Sequence, residues 1–172
     1  VRGDSTTIAV EDGINSSSKD NNLALIWFNV SSIPASSVIN QANLSIYISS
    51  EACENGDIVG ISKILHFWNE GTGSSTTNSN TKNGTSWYER WYKDNTNNGN
   101  GPNFNENDED WQAGGLGKTT DYNDTVLDLF DCNNQGWKSF SVTQTIQEYV
   151  NGKPNYGFLI YMPYINNYDN IK

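Results

Sequence analysis

One histidine, two cysteines and only ten lysines and arginines in 172 residues leave this chain little equipment for several kinds of chemistry. The histidine, His66, sits between Leu65 and Phe67 in an expected strand. It has no Ser-His-Asp or metal-His spacing around it, so it reads as a structural side chain. The 20 acidic residues outnumber the basic ones two to one, giving a formal net charge of −10 and a pI near 4.3. A phosphate backbone would be repelled, which argues against a nucleic-acid partner. No apolar run approaches the length of a membrane-spanning helix. Nothing in the spacing of the acidic residues singles out a general acid/base pair, and the chain reads as non-catalytic. The two cysteines, Cys53 and Cys132, lie next to expected strand ends and fit either one disulfide or two free thiols.

What the chain has in quantity is aromatic surface and short polar residues. Hydrophobic residues make up 35%, yet aromatics reach 12%, with six Trp and nine Tyr. Apolar area is thus concentrated in a few large rings, as in β proteins with long polar loops. Asn, Ser, Thr and Gly fill the connections, where they satisfy turn geometry. Five Asn-x-Ser/Thr sequons, at Asn15, Asn29, Asn43, Asn83 and Asn123, fit a secreted, glycosylated protein. At this length the chain is expected to form one domain with a substantial core. A start at Val1 with no signal peptide fits a processed or excised domain.

Thr7 to Val10 is a short alternating stretch followed by a polar loop. Leu23 to Val30 is apolar on both faces and reads as a central strand. The following turn, Ser31 to Ser37, contains Pro34, which fixes its own φ and breaks the ladder. Asn43 to Ser49 alternates cleanly, with Leu44, Ile46 and Ile48 inward and Ser45, Tyr47 and Ser49 outward. Asp57 to Phe67, Val126 to Phe130 and Trp137 to Val142 are further strands, the last reached through the turn Asn133-Asn134-Gln135-Gly136. Thr143 is placed to cap a helix over Gln144 to Val150, with Ile146, Tyr149 and Val150 on one face and Gly152 as its left-handed stop. Asn155 to Tyr164 is the last strand. Between Asn69 and Asp124 the periodicity dissolves, yet Trp87, Tyr88, Trp91, Tyr92, Phe104 and Trp111 lie there. Aromatics of that number indicate an ordered functional loop region. The pattern is all-β: an antiparallel, jelly-roll-like β-sandwich with one short helix near the C-terminus.

Several segments, in order, resemble one family. Ala24 to Ser49, ALIWFNVSSIPASSVINQANLSIYIS, has its strand ending in Phe, its Ser-Ser-Ile-Pro turn and its following A-x-L-x-hydrophobic-Tyr strand. Trp68-Asn69-Glu70-Gly71 and Ser86-Trp87 are similar to its W-x-E-G and S-W. Trp111, Gly114-Gly115 and Asp121-Tyr122 are similar to its W-x-x-x-G-G…D-Y. Val142-Thr143, Glu148 to Gly152 and Asn155 to Leu159 are similar to its V-T…E-W/Y-V-x-G…N-x-G-F-L. On these residues the chain resembles the disaggregatase-related (DNRLRE) domain of archaeal and bacterial surface and secreted proteins, over Leu23 to Lys172. The resemblance implies a jelly-roll-like sandwich and a non-catalytic, carbohydrate-binding role. It departs in having Leu23 where the family has Arg. The family pattern also continues past Lys172 into a closing strand, so a sandwich short of a terminal strand is expected.

Two candidate sites fall in the loop region. Exposed rings of Tyr88, Trp91, Tyr92 and Trp111, with Arg90 to bond hydroxyls, would form a sugar platform. Trp68 and Trp87 read instead as plugs anchoring the loops. The acidic stretch Asn103 to Asp110, with Asp121 and Asp124 nearby, could gather oxygen ligands for Ca²⁺, with Asp108, Asp110, Asp121 and Asp124 as the candidates. It lacks the Gly and terminal Glu of an EF-hand loop, and a solvated acidic loop is its ordinary reading. Arg2-Gly3-Asp4 spells an adhesion tripeptide without supporting context. The function expected is an extracellular, cell-surface module that binds polysaccharide. The alternative is a self-assembling subunit of a sheath, tube or filament. There the final strand Tyr156 to Met162, beside its missing neighbour, would accept a strand from another chain, with Thr6 to Val10 as the donor.

Overall fold

The computed structural model describes residues 7–10, 23–49, 57–70, 84–85, 89–91, 109–112 and 116–163, with residues 89, 91, 109 and 110 described by their backbone alone. The chain divides into two compact units. One comprises Ala9–Lys63 and Thr125–Lys172, the other Val1–Ile8 and Ile64–Asp124.

The first of these holds two antiparallel sheets and the helix. Strands β1 (Ala24–Ile26), β2 (Asn43–Ile48) and β3 (Ile58–Lys63) come from its N-terminal half. The other unit contributes the short β4 (Glu89–Trp91) and β5 (Glu109–Asp110). Strands β6 (Asp128–Asp131) and β7 (Gly136–Ser141), helix α1 (Thr143–Val150) and β8 (Phe158–Tyr161) complete the order. One sheet is four-stranded, β1-β8-β3-β6, and the second pairs β2 with β7. Within the first unit β1 pairs with β8, β2 with β7 and β3 with β6, and β8 lies beside β3 as well, all antiparallel. In the other unit β4 pairs with β5, also antiparallel. Among the described residues the fold is all-β and sandwich-like, with a single short helix near the C-terminus, as the sequence indicated.

The core lies between the two sheets and the helix. Val59 and Ile61 of β3, Phe158 and Ile160 of β8, and Leu44 and Phe140 of the β2–β7 pair are buried in one cluster with Tyr149 of α1. The Phe130 and Phe140 rings, from β6 and β7, lie 4.6 Å apart between centroids. Burying such side chains is worth roughly 1.5–3 kcal/mol each.

Two sequence expectations are corrected. Leu23 to Val30 does not form a central strand among the described residues: β1 is three residues long, is there the end strand of its sheet, beside β8, and is followed by half-exposed Trp27 and Phe28. The final strand is not at an edge. β8 has β1 on one side and β3 on the other, and all four of its residues are buried. An apolar run signals burial of both faces but says nothing of how many ladder neighbours a strand has. Residues 7–10 form no strand; Val10 packs against the core, and Thr6 of the expected donor segment is outside the described residues.

The helix ends as its sequence required. Gly152, at φ +92°, lets the N–H groups of Gly152 and Lys153 turn back to the carbonyls of Tyr149 and Glu148 at 3.0 Å each. This is the Schellman arrangement that needs a left-handed residue. Its start differs from the expectation. The N-cap is Val142 with no side-chain cap, because the Thr143 hydroxyl is used elsewhere, accepting the Ala42 N–H at 2.9 Å just before β2. Glu148 receives both Lys63 of β3, at 2.8 Å, and Lys153, at 3.0 Å. Hydrogen bonds from Lys63 first and Lys153 second hold its carboxyl below the usual carboxylate range. Burial, with the nearby Glu148 charge, pushes the Tyr149 hydroxyl well above its ordinary value.

Candidate functional site

In the β2–β7 pair, strict alternation puts Leu44 and Phe140 inward and leaves an outer face built from three cross-strand pairs. These are Asn43 with Ser141, Ser45 with Ser139, and Tyr47 with Trp137. The Ser45 and Ser139 hydroxyls lie 3.1 Å apart. Tyr47 and Trp137 meet edge to face, centroids 5.6 Å apart and planes at 74°, a geometry favoured by the ring quadrupoles. Trp137 is nevertheless 74% exposed and Tyr47 56%. Large rings of that exposure, adjacent on one face, mark a surface fitted for contact with something else. Among the described residues the face carries an amide, hydroxyls and two rings, and no formal charge.

The surroundings fix this face firmly. Gly136, at φ +130°, opens β7 directly before Trp137. Asp131 Oδ1 accepts the Asn133 N–H at 2.8 Å and shapes the connection from β6. Cys132 in that connection is disulfide-bonded; the chain's other cysteine, Cys53, lies outside the described residues. Cys132 N–H also donates to Asp57 O at 3.3 Å. At the far end, Asp128 of β6 accepts the Ser141 N–H at 2.6 Å. The platform thus stands on a strand tied at both ends, which keeps its rings where they are without a ligand.

The residues expected to bind sugar fare differently. Trp111 is buried, 2% exposed, so its ring offers no face to a ligand. Arg90 is bonded within its own unit: its guanidinium donates to Phe67 O at 3.1 Å, and its carbonyl accepts Asn69 N–H and the Thr85 hydroxyl. Trp91 lies in β4 by its backbone; Tyr88 and Tyr92 are outside the described residues.

Of the candidate calcium ligands, the side chains of Asp121 and Asp124 are within the described residues, and each has partners in the protein. Asp121 is completely buried and holds a loop together. Its Oδ1 accepts the Gln112 N–H and its Oδ2 the Gly117 N–H, both at 2.9 Å, with the Thr120 hydroxyl at 3.4 Å. Its carbonyl accepts the Leu65 N–H. This accounts for the order Trp111…Asp121-Tyr122: a buried ring followed by the carboxylate that ties its chain segment down. Asp124 pairs with Lys118 at 2.6 Å, Asp110 is described only as backbone in β5, and Asp108 is outside the described residues. No group of three or more potential metal ligands occurs among the described residues. His66 Nε2 lies 3.1 Å from Thr120 O, an atom that only accepts, so the proton sits on Nε2.

The sequence signal for the exposed face was present in the outward placement of Tyr47. What was missing was its partner, since nothing local pairs Tyr47 with Trp137. Compared with known proteins, the chain matches no family model, no curated protein and no solved structure.

Proposed function

We propose that this is a carbohydrate-binding module whose site is the outer face of β2 and β7. The observation that carries the reading is the Tyr47–Trp137 pair, exposed on a face otherwise made of hydroxyls and an amide. The flat face of Trp137 would stack on the C–H face of a pyranose ring, with Tyr47 as a wall beside it. Ser45, Ser139 and Asn43 would exchange hydrogen bonds with hydroxyls of neighbouring residues. The strand rise, about 3.4 Å per residue, spaces the three cross-strand pairs along the length of a short oligosaccharide. A face without charge, on a chain of net charge −10, favours a neutral glycan over a uronate or sulfated one. The role is non-catalytic and extracellular, in keeping with the sequence resemblance to disaggregatase-related domains.

The test is affinity electrophoresis of the purified chain through gels containing neutral polysaccharides or polyuronates. Retardation by a neutral glycan that disappears in Trp137→Ala, with an unchanged melting curve, supports the site. Retention of full binding in that variant would remove the face from consideration.

A further inference from the structure

We infer that Asn29 is an N-glycan acceptor presented by the folded protein, set apart by its geometry from the other two sequons within the described residues, Asn43 and Asn123. Asn29 is exposed, in the connection between β1 and β2. Its Oδ1 accepts the N–H of Ser31, the hydroxyl residue of its own sequon, at 2.9 Å. This closes an Asx turn across Asn29-Val30-Ser31. The turn places the acceptor amide beside the exposed Ser31 of the same sequon, in a surface connection. Among the described residues no other hydrogen bond engages the Asn29 amide.

The backbone around it is equally accessible. Phe28 O is held by Asn155 Nδ2 at 2.9 Å, and Ser37 O by Gln147 Nε2 at 3.1 Å. Between those anchors the backbone makes its own turns, Ile33 N–H to Val30 O at 3.0 Å and Ser37 N–H to Pro34 O at 2.9 Å, while the Val30 side chain packs partly against the core. An enzyme cleft can take residues 29–33 without opening a sheet. The other two sequons lack this freedom. Asn43 is in register with Ser141 inside β2, the middle residue Leu44 is buried, and the Ser45 hydroxyl is engaged with Ser139. Asn123 is half-buried, directly after Tyr122, which bridges to Ile64 and Lys118, and before Asp124, which is paired with Lys118.

The step needs an oligosaccharyltransferase and a lipid-pyrophosphate-linked oligosaccharide as co-reactant. Asn29 Nδ2 forms the bond to the anomeric carbon as that carbon's bond to the pyrophosphate oxygen breaks. Lipid pyrophosphate leaves, and one Nδ2 proton passes to a carboxylate of the transferase. The Ser31 N–H on Oδ1 draws charge toward the amide oxygen and eases loss of that proton.

The test is incubation of the folded, disulfide-intact chain with a single-subunit oligosaccharyltransferase and its lipid-linked donor, with occupancy followed by peptide mass spectrometry. Modification at Asn29 should be at least about tenfold faster than at Asn43 or Asn123, where packed structure must first open. Asn29→Gln should abolish it there, and Ser31→Ala should slow it strongly with no change in melting. Equal rates at Asn29 and Asn43 would overturn the inference. So would an unmodified Asn29 under conditions that modify a synthetic peptide of residues 26–33.

Discussion

Gly157 runs so close to Ile26 that a Cβ on it would overlap the Ile26 carbonyl oxygen and stand 3.1 Å from the Trp27 Cα. Its φ of +80° is in the left-handed region as well. The approach is held from several sides. Trp27 Nε1 donates to Asn155 O at 3.1 Å, Asn155 Oδ1 accepts the Gly157 N–H at 3.1 Å, and the buried Tyr149 hydroxyl donates to Gly157 O at 3.2 Å. This knot sets β8 against β1. Gly157→Ala should therefore cost about 3 kcal/mol or more, from a backbone clash added to a strained φ. Gly152→Ala, with nothing within 4 Å of its Cβ position, should cost about 1 kcal/mol. Urea denaturation of the two variants gives the comparison; equal losses would show that the β1–β8 approach is not tight.

Asp121 uses both carboxylate oxygens on backbone N–H donors in a site closed to water. Asp121→Asn would turn an NH₂ group toward one of those donors, leaving it unsatisfied. A loss of roughly 2–3 kcal/mol is expected. The same variant also tests the calcium expectation. If Asp121 acts only as a loop clamp, its effect on the melting temperature will be the same with and without chelator.

Glu148 supplies a pH dependence whose direction is fixed by its partners. Hydrogen bonds from Lys63 and Lys153 lower its folded value below the ordinary 4.5. The stabilisation is therefore complete above about pH 4.5, the range of an ordinary glutamate, and lost as pH falls through the lower folded value. Both lysines and the glutamate retain some solvent contact, so about 1 kcal/mol is the scale. Glu148→Gln should be less stable than the parent at pH 7 and equal to it near pH 2. A constant difference across that range would assign the effect to packing instead.

At the Tyr47–Trp137 pair, stability and binding should separate. The rings are mostly outside the core, and a cross-strand pair of this kind contributes about 0.5–1 kcal/mol. Trp137→Ala should stay within that range in denaturation. Its glycan affinity should fall about tenfold or more, as for a stacked anchor residue. Trp137→Phe, which keeps a flat ring, should retain part of the affinity. Parallel losses of stability and binding would make Trp137 a structural residue.

Helix α1 and the alternation of β2 were legible in the sequence because both rest on short-range periodicity and local turn chemistry. Ile146, Tyr149 and Val150 recur at helical spacing, and Gly152 stops the helix by a conformation that other residues resist. Leu44, Ser45, Ile46 and Tyr47 announce their faces by period two alone. Strand neighbours were not legible. β8 and an uncovered edge strand have the same apolar composition, and only the tertiary structure places β1 and β3 on either side of it. The aromatic rings were equally ambiguous. Trp111 lies buried and Trp137 exposed although both follow polar stretches of sequence, because exposure depends on what packs over a ring, not on its immediate neighbours in the chain. The candidate site was decided in the same way: Ser45 and Ser139, 94 residues apart, meet across the ladder, and the register that joins them also sets Trp137 beside Tyr47. The sequence determined which residues face outward. Pairing over long separations determined which of them stand together, since contacts of that range form only once the whole sheet is assembled.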